Sequence, residues 1–476
     1  MRALQLKREY QMRNDVVMLR TKKSTYSMML IYIIGILVLS SILSIVYSSI
    51  SILIFEILGL ALVLLFQKQD DVVVTRAIIL IKCISYIFIF LVFYGNIQEY
   101  GAPYYHGGSD DLDFEIYTME FIKNNYIWPW EYKGIHNAKG MLSLFASLIR
   151  ISNIFETYHT LAFRLLNMDI LICISIILYK ICRRDLRMSK KVSLICMLTM
   201  GLLPNSLFLT SFVFRDTICC FLIITFFSFS LDFIKKEDSE TIFTKKRFVA
   251  LFMMLFISFC GYWIRKELFY LNILIFIVSL IGNRKIGVKE VLISFCIVIM
   301  LLFVFYRIGI LDFFLNKMER YRIYHTKLIN ENGSNYLYRM IFLTPLLPFG
   351  IIYRILFGLV SPLPTGILKI LSFNSGLSVC DFLIALGSLF QIIMLPFLVI
   401  SFKKIDKYHI LFLLIFLPIV ISTFTFRHFI LLYPFLFILV YRSFFSVSRG
   451  YKQLYVMIGI CGLFLMGVMY MMFILL

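Results

Sequence analysis

Four carboxylates lie within six residues in the stretch GGSDDLDFE, residues 107–115, of a chain that is 61% hydrophobic and only 16% charged. A carboxylate held beside an alcohol can remove its proton, and paired carboxylates can also bind a divalent cation. The Gly-Gly-Ser turn favours a bend that lets the next two side chains enter one cavity. Asp110 and Asp111 are therefore the candidate catalytic residues. The alternative is a solvated loop in which Ser109 or Asp110 caps a helix beginning near Leu112.

Three short gaps between apolar segments each contain an arginine, namely Arg215, Arg265 and Arg427. Guanidinium groups bind phosphate through paired hydrogen bonds, so these arginines are candidates for binding a donor phosphate. Carboxylates together with arginines suit a substrate pair with an anionic phosphate and a neutral hydroxyl, as in transfer from a lipid-phosphate sugar. Alternatively, each arginine snorkels or pairs with an adjacent acid. The supporting candidates are Asp216, Lys266, Glu267, His428 and Lys139.

The elements that must position these residues are long apolar runs. With 476 residues, 49 Phe and a mean hydropathy of +0.90, the chain exceeds the apolar content of a soluble core. We expect an all-α polytopic membrane protein with about 12–13 transmembrane helices. The expected spans are 27–47, 50–66, 76–95, 162–181, 192–212, 217–233, 248–263, 268–281, 290–306, 380–402, 409–425, 428–441 and 455–475.

The net charge of +20 is concentrated in short gaps between these spans, which excludes nucleic acid as the expected partner and indicates cytoplasmic loops. The N-terminus is then cytoplasmic, and residues 96–161 and 307–340 lie outside. All three arginine gaps fall on the same outer face as the acidic stretch. The basic segments are 1–26, 180–191, 235–247, 282–290, 403–407 and 442–452.

The predicted organisation is a basic N-terminus, 1–26, followed by one transmembrane domain, 27–476. An acidic, catalytic outer loop spans 96–161, and a second outer region, 307–379, joins a basic loop to a re-entrant or surface-lying segment at 341–360. Within the first loop, FEIYTMEFIKNNY and GMLSLFASLIRISNIF have apolar residues at helical spacing. These helices would lie along the membrane surface and roof a cavity.

Several separated motifs resemble one family. SDDLDFE in the first large outer loop, the helices NAKGMLSLFASLIRI and FRLLNMDILI, the span LLPNSLFLTSFVFRDTICCFLII and the late segment RHFILLYPFLFIL are similar to the C-type membrane glycosyltransferase superfamily, in particular its bacterial polysaccharide-assembly members. The resemblance implies a polyprenyl-phosphate or -diphosphate sugar donor and a glycan or lipid-linked acceptor. It also implies Asp110 or Asp111 as base or metal ligand, and Arg215 and Arg427 near the donor phosphate. The location would be the bacterial cytoplasmic (inner) membrane.

Two alternatives stay open. An O-antigen or capsule polymerase would use the basic loop 307–340 to hold an anionic glycan. A lipid-linked oligosaccharide flippase would place ionisable residues within the membrane. Most charges lie instead at span ends. Lys82 and Asp169 are exceptions that can each face the bundle interior and pair, and they are given no role. No cofactor is certain, but Asp110 and Asp111 could hold Mg²⁺ or Mn²⁺.

Overall fold

The computed structural model describes residues 25–67, 71–108, 110–133, 138–153, 158–235, 244–280, 349–371, 374–423 and 426–475, with isolated positions between 300 and 344. Throughout these residues every regular element is a helix. Eight helices are long and apolar enough to cross a membrane, and one bent helix pair would make a ninth. Three shorter apolar helices accompany them: Ser51–Phe66, Lys407–Ile421 and Tyr433–Ser446. The predicted all-α polytopic membrane fold is confirmed, whereas the expected span at 290–306 falls almost entirely outside the described residues.

The chain forms two compact units. The first contains α1 to α8, most of α9, and α10. These are α1 Thr25–Val46, α2 Ser51–Phe66, α3 Val72–Tyr100, α4 Asp110–Lys123, α5 Lys139–Asn153, α6 Leu161–Arg184, α7 Lys190–Leu202, α8 Pro204–Thr210, α9 Arg215–Ile234 and α10 Lys245–Ile264.

Helix α6 is the centre of the first unit. It is buried on all sides along nearly its whole length, and it packs against α2, α3 and α7. Such a helix lies inside a bundle rather than against lipid. The polar residues on α6, including Arg164, Asn167 and Asp169, are therefore held in the interior of the unit.

Helices α7 and α8 form one segment bent by 47°, where sequence periodicity predicts a single span over 192–212. Pro204 is the first residue of α8 and cannot donate the backbone hydrogen bond that would continue α7. The bend brings Ser211 and Phe212, just after α8, close to α6. Helix α3 is followed by Gly101, whose φ of +75° favours glycine and turns the chain toward the acidic stretch.

The predicted amphipathic helices in the first outer loop correspond to α4 and α5. In α5, Met141, Leu142, Phe145, Ala146 and Ile149 are all buried, at the spacing expected for one helix face. Helix α5 packs against α4, α2 and α10. A Cβ on Gly140 would come within 2.7 Å of Trp263, so the start of α5 lies directly on the end of α10.

The second unit holds the later helices. It contains most of α11 Lys266–Leu280, α12 Ile351–Val360, most of α13 Gly376–Ser401, α14 Lys407–Pro418, α15 Tyr433–Ser446 and α16 Arg449–Leu475, with a 3-10 helix at Phe426–Leu431. The segment Ile351–Lys369 is long and apolar enough to span a membrane, so the re-entrant interpretation of 341–360 stays a prediction. The basic loop 307–340 lies outside the described residues except at three isolated positions after Arg307.

Candidate functional site

Asp110 and Asp111 are the first two residues of α4, and their environments differ. Asp111 is fully buried; its Oδ2 accepts a hydrogen bond from the Tyr105 backbone N–H at 2.9 Å. Its other oxygen, Oδ1, is buried and has no hydrogen-bond partner among the described residues. Asp110 is half-buried and makes contacts of its own. Successive helix residues point about 100° apart, so the expected turn that sends both aspartates into one cavity is replaced by a helix start that buries only Asp111.

Burial raises the pKa of Asp111, and the Tyr105 N–H and the Arg164 guanidinium oppose this rise. A carboxylate whose pKa is raised toward the working pH is a stronger base than an exposed aspartate. Of the two candidate catalytic residues, Asp111 therefore has the burial and the basicity suited to proton removal.

Glu115 lies one helical turn after Asp111 and accepts hydrogen bonds from two other segments. Its carboxylate accepts hydrogen bonds from the Tyr104 hydroxyl at 2.7 Å, the Tyr158 hydroxyl at 2.8 Å and the Thr160 hydroxyl at 2.5 Å. Burial and the nearby carboxylate raise the pKa of both tyrosines, which keeps them as donors. Glu115 thus joins α4 to the loop before it and to the start of α6.

Arg164, on α6, is a buried residue of this site that the sequence analysis did not select. Its guanidinium donates to the Ser211 carbonyl at 2.9 Å and to the Pro103 carbonyl at 2.7 Å. Its charge lies 5.6 Å from the ring centroids of both Phe93 and Phe212. Its Nε is buried without a partner among the described residues. The signal that could have identified it is an arginine inside an apolar span, where charge is costly and marks a site.

Arg164 and Asp111 are connected through one short loop. Pro103 accepts from Arg164, and Tyr105, two residues later, donates to Asp111. The guanidinium interacts electrostatically with both Asp111 and Glu115. Arg164 therefore positions the loop that orients Asp111, and it supplies a positive field beside that carboxylate.

Two of the three predicted arginine gaps lie in the first unit with Asp111. Arg215 begins α9 and lies over the ring of Phe114, at 6.0 Å from its centroid, on the helix turn that carries Asp111. Arg265 lies between α10 and α11 and contacts Asp216 Oδ1 at 3.5 Å and Glu267 Oε2 at 3.7 Å. Arg215 thus lies against α4. Arg265 is linked to the Arg215 segment by its ion pair with Asp216, the residue after Arg215. Lys266 is exposed.

The remaining predicted residues have other surroundings. Arg427 and His428 lie on the 3-10 helix of the second unit, with His428 buried. Their participation in the same site as Arg215 stays a prediction. Lys139 donates to the Tyr132 carbonyl at 2.6 Å and lies 5.7 Å from the Tyr132 ring centroid, so it braces the connection between α4 and α5.

The oxygen ligands that a divalent cation needs can be compared with those that Asp110 and Asp111 provide. Mg²⁺ and Mn²⁺ prefer several oxygen ligands in a nearly octahedral arrangement. Among the described residues no three His, Cys, Asp or Glu side chains cluster in a way that would hold a metal ion. Asp111 Oδ1 provides one unpartnered oxygen, and Asp110 lies in a different environment. This donor set does not fit a resident cation, so we assign no step to one.

No protein-family model, curated protein or solved structure matches this chain.

Proposed function

We propose that this protein is an integral membrane glycosyltransferase. It transfers a sugar from a polyprenyl-phosphate or -diphosphate donor to a hydroxyl acceptor on the outer face of the bacterial cytoplasmic membrane, in assembly of a cell-surface polysaccharide. The observation that carries the proposal is Asp111: a buried carboxylate on a helix outside the membrane spans, with a raised pKa and one oxygen that has no hydrogen-bond partner among the described residues.

In the proposed reaction, the acceptor hydroxyl donates a hydrogen bond to Asp111 Oδ1, and the proton passes to that oxygen. The acceptor oxygen forms a bond to the anomeric carbon while the bond from that carbon to the phosphate oxygen breaks. The lipid phosphate leaves with the electron pair and a negative charge. General-base assistance of this kind contributes roughly 10²–10⁴ in rate.

Arg215 and Arg265 are proposed to hold the leaving phosphate. Arg215 packs on the same helix as Asp111, and Arg265 shares Asp216 with the Arg215 gap. The paired N–H donors of a guanidinium group match phosphate oxygens in geometry. Arg164 is a positioning residue, because its terminal nitrogens are taken up by backbone carbonyls.

A polysaccharide polymerase would use the same chemistry with a longer acceptor. A lipid-linked oligosaccharide flippase is the candidate from another class, and one observation favours it: a charged cluster buried between membrane-spanning helices, formed by Glu56, Lys82 and Asp169. Transporters place ionisable groups at such depths.

Analysis of lipid-linked intermediates and surface glycan in a deletion strain separates these functions. A truncated repeat unit is the result expected for a monosaccharide transferase. Surface glycan of a single repeat would indicate a polymerase. Complete lipid-linked repeats confined to the cytoplasmic leaflet would indicate a flippase. Wild-type glycan in the deletion strain would contradict all three.

A further inference from the structure

Two carboxylates and one ammonium group are buried together inside the first unit. Lys82, on α3, lies 3.0 Å from Glu56 Oε1 on α2 and 2.7 Å from Asp169 Oδ1 on α6. All three side chains are at most 2% exposed. Lys82 also lies 5.0 Å from the ring centroid of Tyr86. Lys82 and Asp169 each face the interior of the unit and pair there, and Glu56 is a further partner of Lys82.

The cluster carries an uncompensated charge if every group is ionised, because two carboxylates against one ammonium leave a net charge of −1. An isolated charge in a medium of low dielectric constant costs many kcal/mol, and a buried group neutralises rather than bear this cost. The α2–α3–α6 interface therefore requires one further positive charge.

No described side chain on the surrounding helices supplies that charge. On α6, Arg164 donates to the Ser211 and Pro103 carbonyls, and Lys180 donates to the Phe66 carbonyl. Lys180 is 11 residues after Asp169, about 16 Å along the helix. On α3, Arg76 is exposed, and on α7, Lys190 pairs with Asp71 and Lys191 is exposed. The other titratable groups that interact with Asp169 are neutral in their ordinary state: Tyr32 on α1, Tyr86 on α3 and Cys173 on α6.

The same place contains several polar atoms without partners. Glu56 Oε2, Asp169 Oδ2 and the Tyr32 hydroxyl are buried and have no hydrogen bond to any described residue, and the buried Tyr86 hydroxyl lies beside Glu56. Both tyrosines are at least nine-tenths buried and interact electrostatically with Asp169 and Glu56. The free oxygen of each carboxylate is therefore available to carry a proton, with phenol groups near it to exchange hydrogen bonds.

We propose that Glu56 and Asp169 together hold one resident proton, which makes this cluster an intramembrane proton-binding site. The proton gives the cluster zero net charge: one carboxylate pairs with the Lys82 ammonium and the other is a neutral acid. Loss of the proton would leave an unpaired negative charge between α2, α3 and α6. The packing is tight on this side, since a Cβ on Gly59 of α2 would come 2.7 Å from Asp169 Cγ. The site stands apart from the proposed glycosyltransferase chemistry and does not depend on it.

Infrared spectroscopy of the purified protein in lipid tests this proposal directly. A neutral carboxylic acid has a C=O stretch that shifts in D₂O, and a carboxylate lacks it. In difference spectra at neutral pH, Asp169→Asn and Glu56→Gln should each lose one carboxylic-acid band relative to wild type. Each substitution removes one acid, and the remaining carboxylate then pairs with Lys82. Asp381→Asn is the matched control, since Asp381 is partly exposed and paired with Lys369, and it should retain the band.

Lys82→Met provides a second test that does not rely on the carboxyl variants. Without the ammonium, both acids must be neutral, so the spectrum should gain one carboxylic-acid band. The proposal is overturned if neither carboxyl variant loses a band, or if Lys82→Met gains none. It is equally overturned if the wild-type protein requires Na⁺ for thermal stability and Asp169→Asn abolishes that requirement, because a monovalent cation would then occupy the place of the proton.

Discussion

At the scale of single residues, the adjacent carboxylates of Asp110 and Asp111 differ in burial. Both begin α4, but only Asp111 is fully buried, and its Oδ1 has no described partner. A buried polar atom without a partner costs roughly 1–3 kcal/mol. A protein retains that cost where the atom serves a ligand or a reaction, which is why Asp111 is the focus of the proposed mechanism.

The arginines give the first prediction. Arg215→Gln and Arg265→Gln should each lower sugar transfer in isolated membranes by about 10–100-fold, because a charge-assisted hydrogen bond contributes roughly 1.5–3 kcal/mol. Lys should restore activity only in part, since an ammonium lacks the planar pair of donors. The same assay on Arg427→Gln tests whether this arginine of the second unit is also needed for sugar transfer. The control is Arg76→Gln, an exposed arginine on α3. Normal transfer by both Arg215→Gln and Arg265→Gln at normal protein level would contradict the phosphate role.

Single residues also show which parts of the candidate site could be predicted from the sequence. Asp111, Arg215 and Arg265 could be selected because acidic and basic residues in short gaps of an apolar chain are conspicuous. Arg164 was missed because its role depends on the α7–α8 bend, which brings the Ser211 carbonyl to it. The inequality of Asp110 and Asp111 depends on where α4 begins, and no sequence pattern specifies a helix start to one residue.

At the scale of elements, the start of α14 is held by one carboxylate. Asp406 accepts from the Tyr408 N–H at 3.1 Å and from the His409 ring at 2.8 Å, and it also pairs with Arg442 on α15. Burial raises the pKa of Asp406, but the hydrogen bond to His409 and the Arg442 guanidinium outweigh burial and lower it to about 2. The carboxylate form therefore links α14 to α15 within the second unit.

This pKa predicts a defined pH dependence of stability. Because the folded-state pKa lies below the ordinary value of 3.8, the contribution is complete above about pH 4 and is lost as the pH falls through about 2. Asp406→Asn, which retains the cap but not the charge, should unfold at a lower temperature than wild type at neutral pH, by the equivalent of about 2 kcal/mol. Thermal unfolding in detergent should show this difference vanishing toward pH 2. A difference that is constant with pH would contradict the ion pair.

The connection between α4 and α5 carries an aromatic cluster. Trp128 and Trp130 stack with ring centroids 5.0 Å apart and are both about half exposed, and Trp263 lies 5.7 Å from Trp130. Trp263 is near the end of α10, whose outer face exposes large apolar side chains suited to lipid, namely Phe248, Phe252, Phe256 and Phe259. Tryptophan is enriched at the membrane–water interface. The cluster therefore indicates that the α4–α5 connection lies at interface depth.

Intrinsic fluorescence tests this depth without any substitution. The chain contains three tryptophans, and all belong to the cluster, so the tryptophan emission reports on this cluster alone. In reconstituted protein, lipids brominated near the headgroup should quench the emission more strongly than lipids brominated near the end of the acyl chain. Equal quenching at both depths, or strong quenching by aqueous iodide alone, would place the connection elsewhere.

At the scale of the whole molecule, the alternation of apolar runs and basic gaps predicted most of the helices. Predicted spans such as 162–181 and 217–233 fall inside α6 and α9. The arrangement of the helices was not predictable, because an apolar run does not show whether it faces lipid or other helices. Helix α6 is fully enclosed and α10 is mostly not, although both are similarly apolar.

The proposed sidedness is testable at described positions. Asp113→Cys, on the exposed face of α4, should react with an impermeant thiol reagent in intact cells. Arg187→Cys, in the loop between α6 and α7, should react only after the membrane is opened, because basic loops face the cytoplasm. Labelling of the second site in intact cells would reverse the assignment.

The most direct measurement of the central claim is surface glycan in cells that carry Asp111→Asn on the chromosome. Asn preserves the size of the side chain but cannot accept the proton, so transfer should fall by roughly 10²–10⁴, polymer should be absent and the lipid-linked donor should accumulate at normal protein level. Asp113→Asn, two residues away and exposed, should assemble normal glycan. Wild-type glycan from Asp111→Asn at normal protein level would contradict the account.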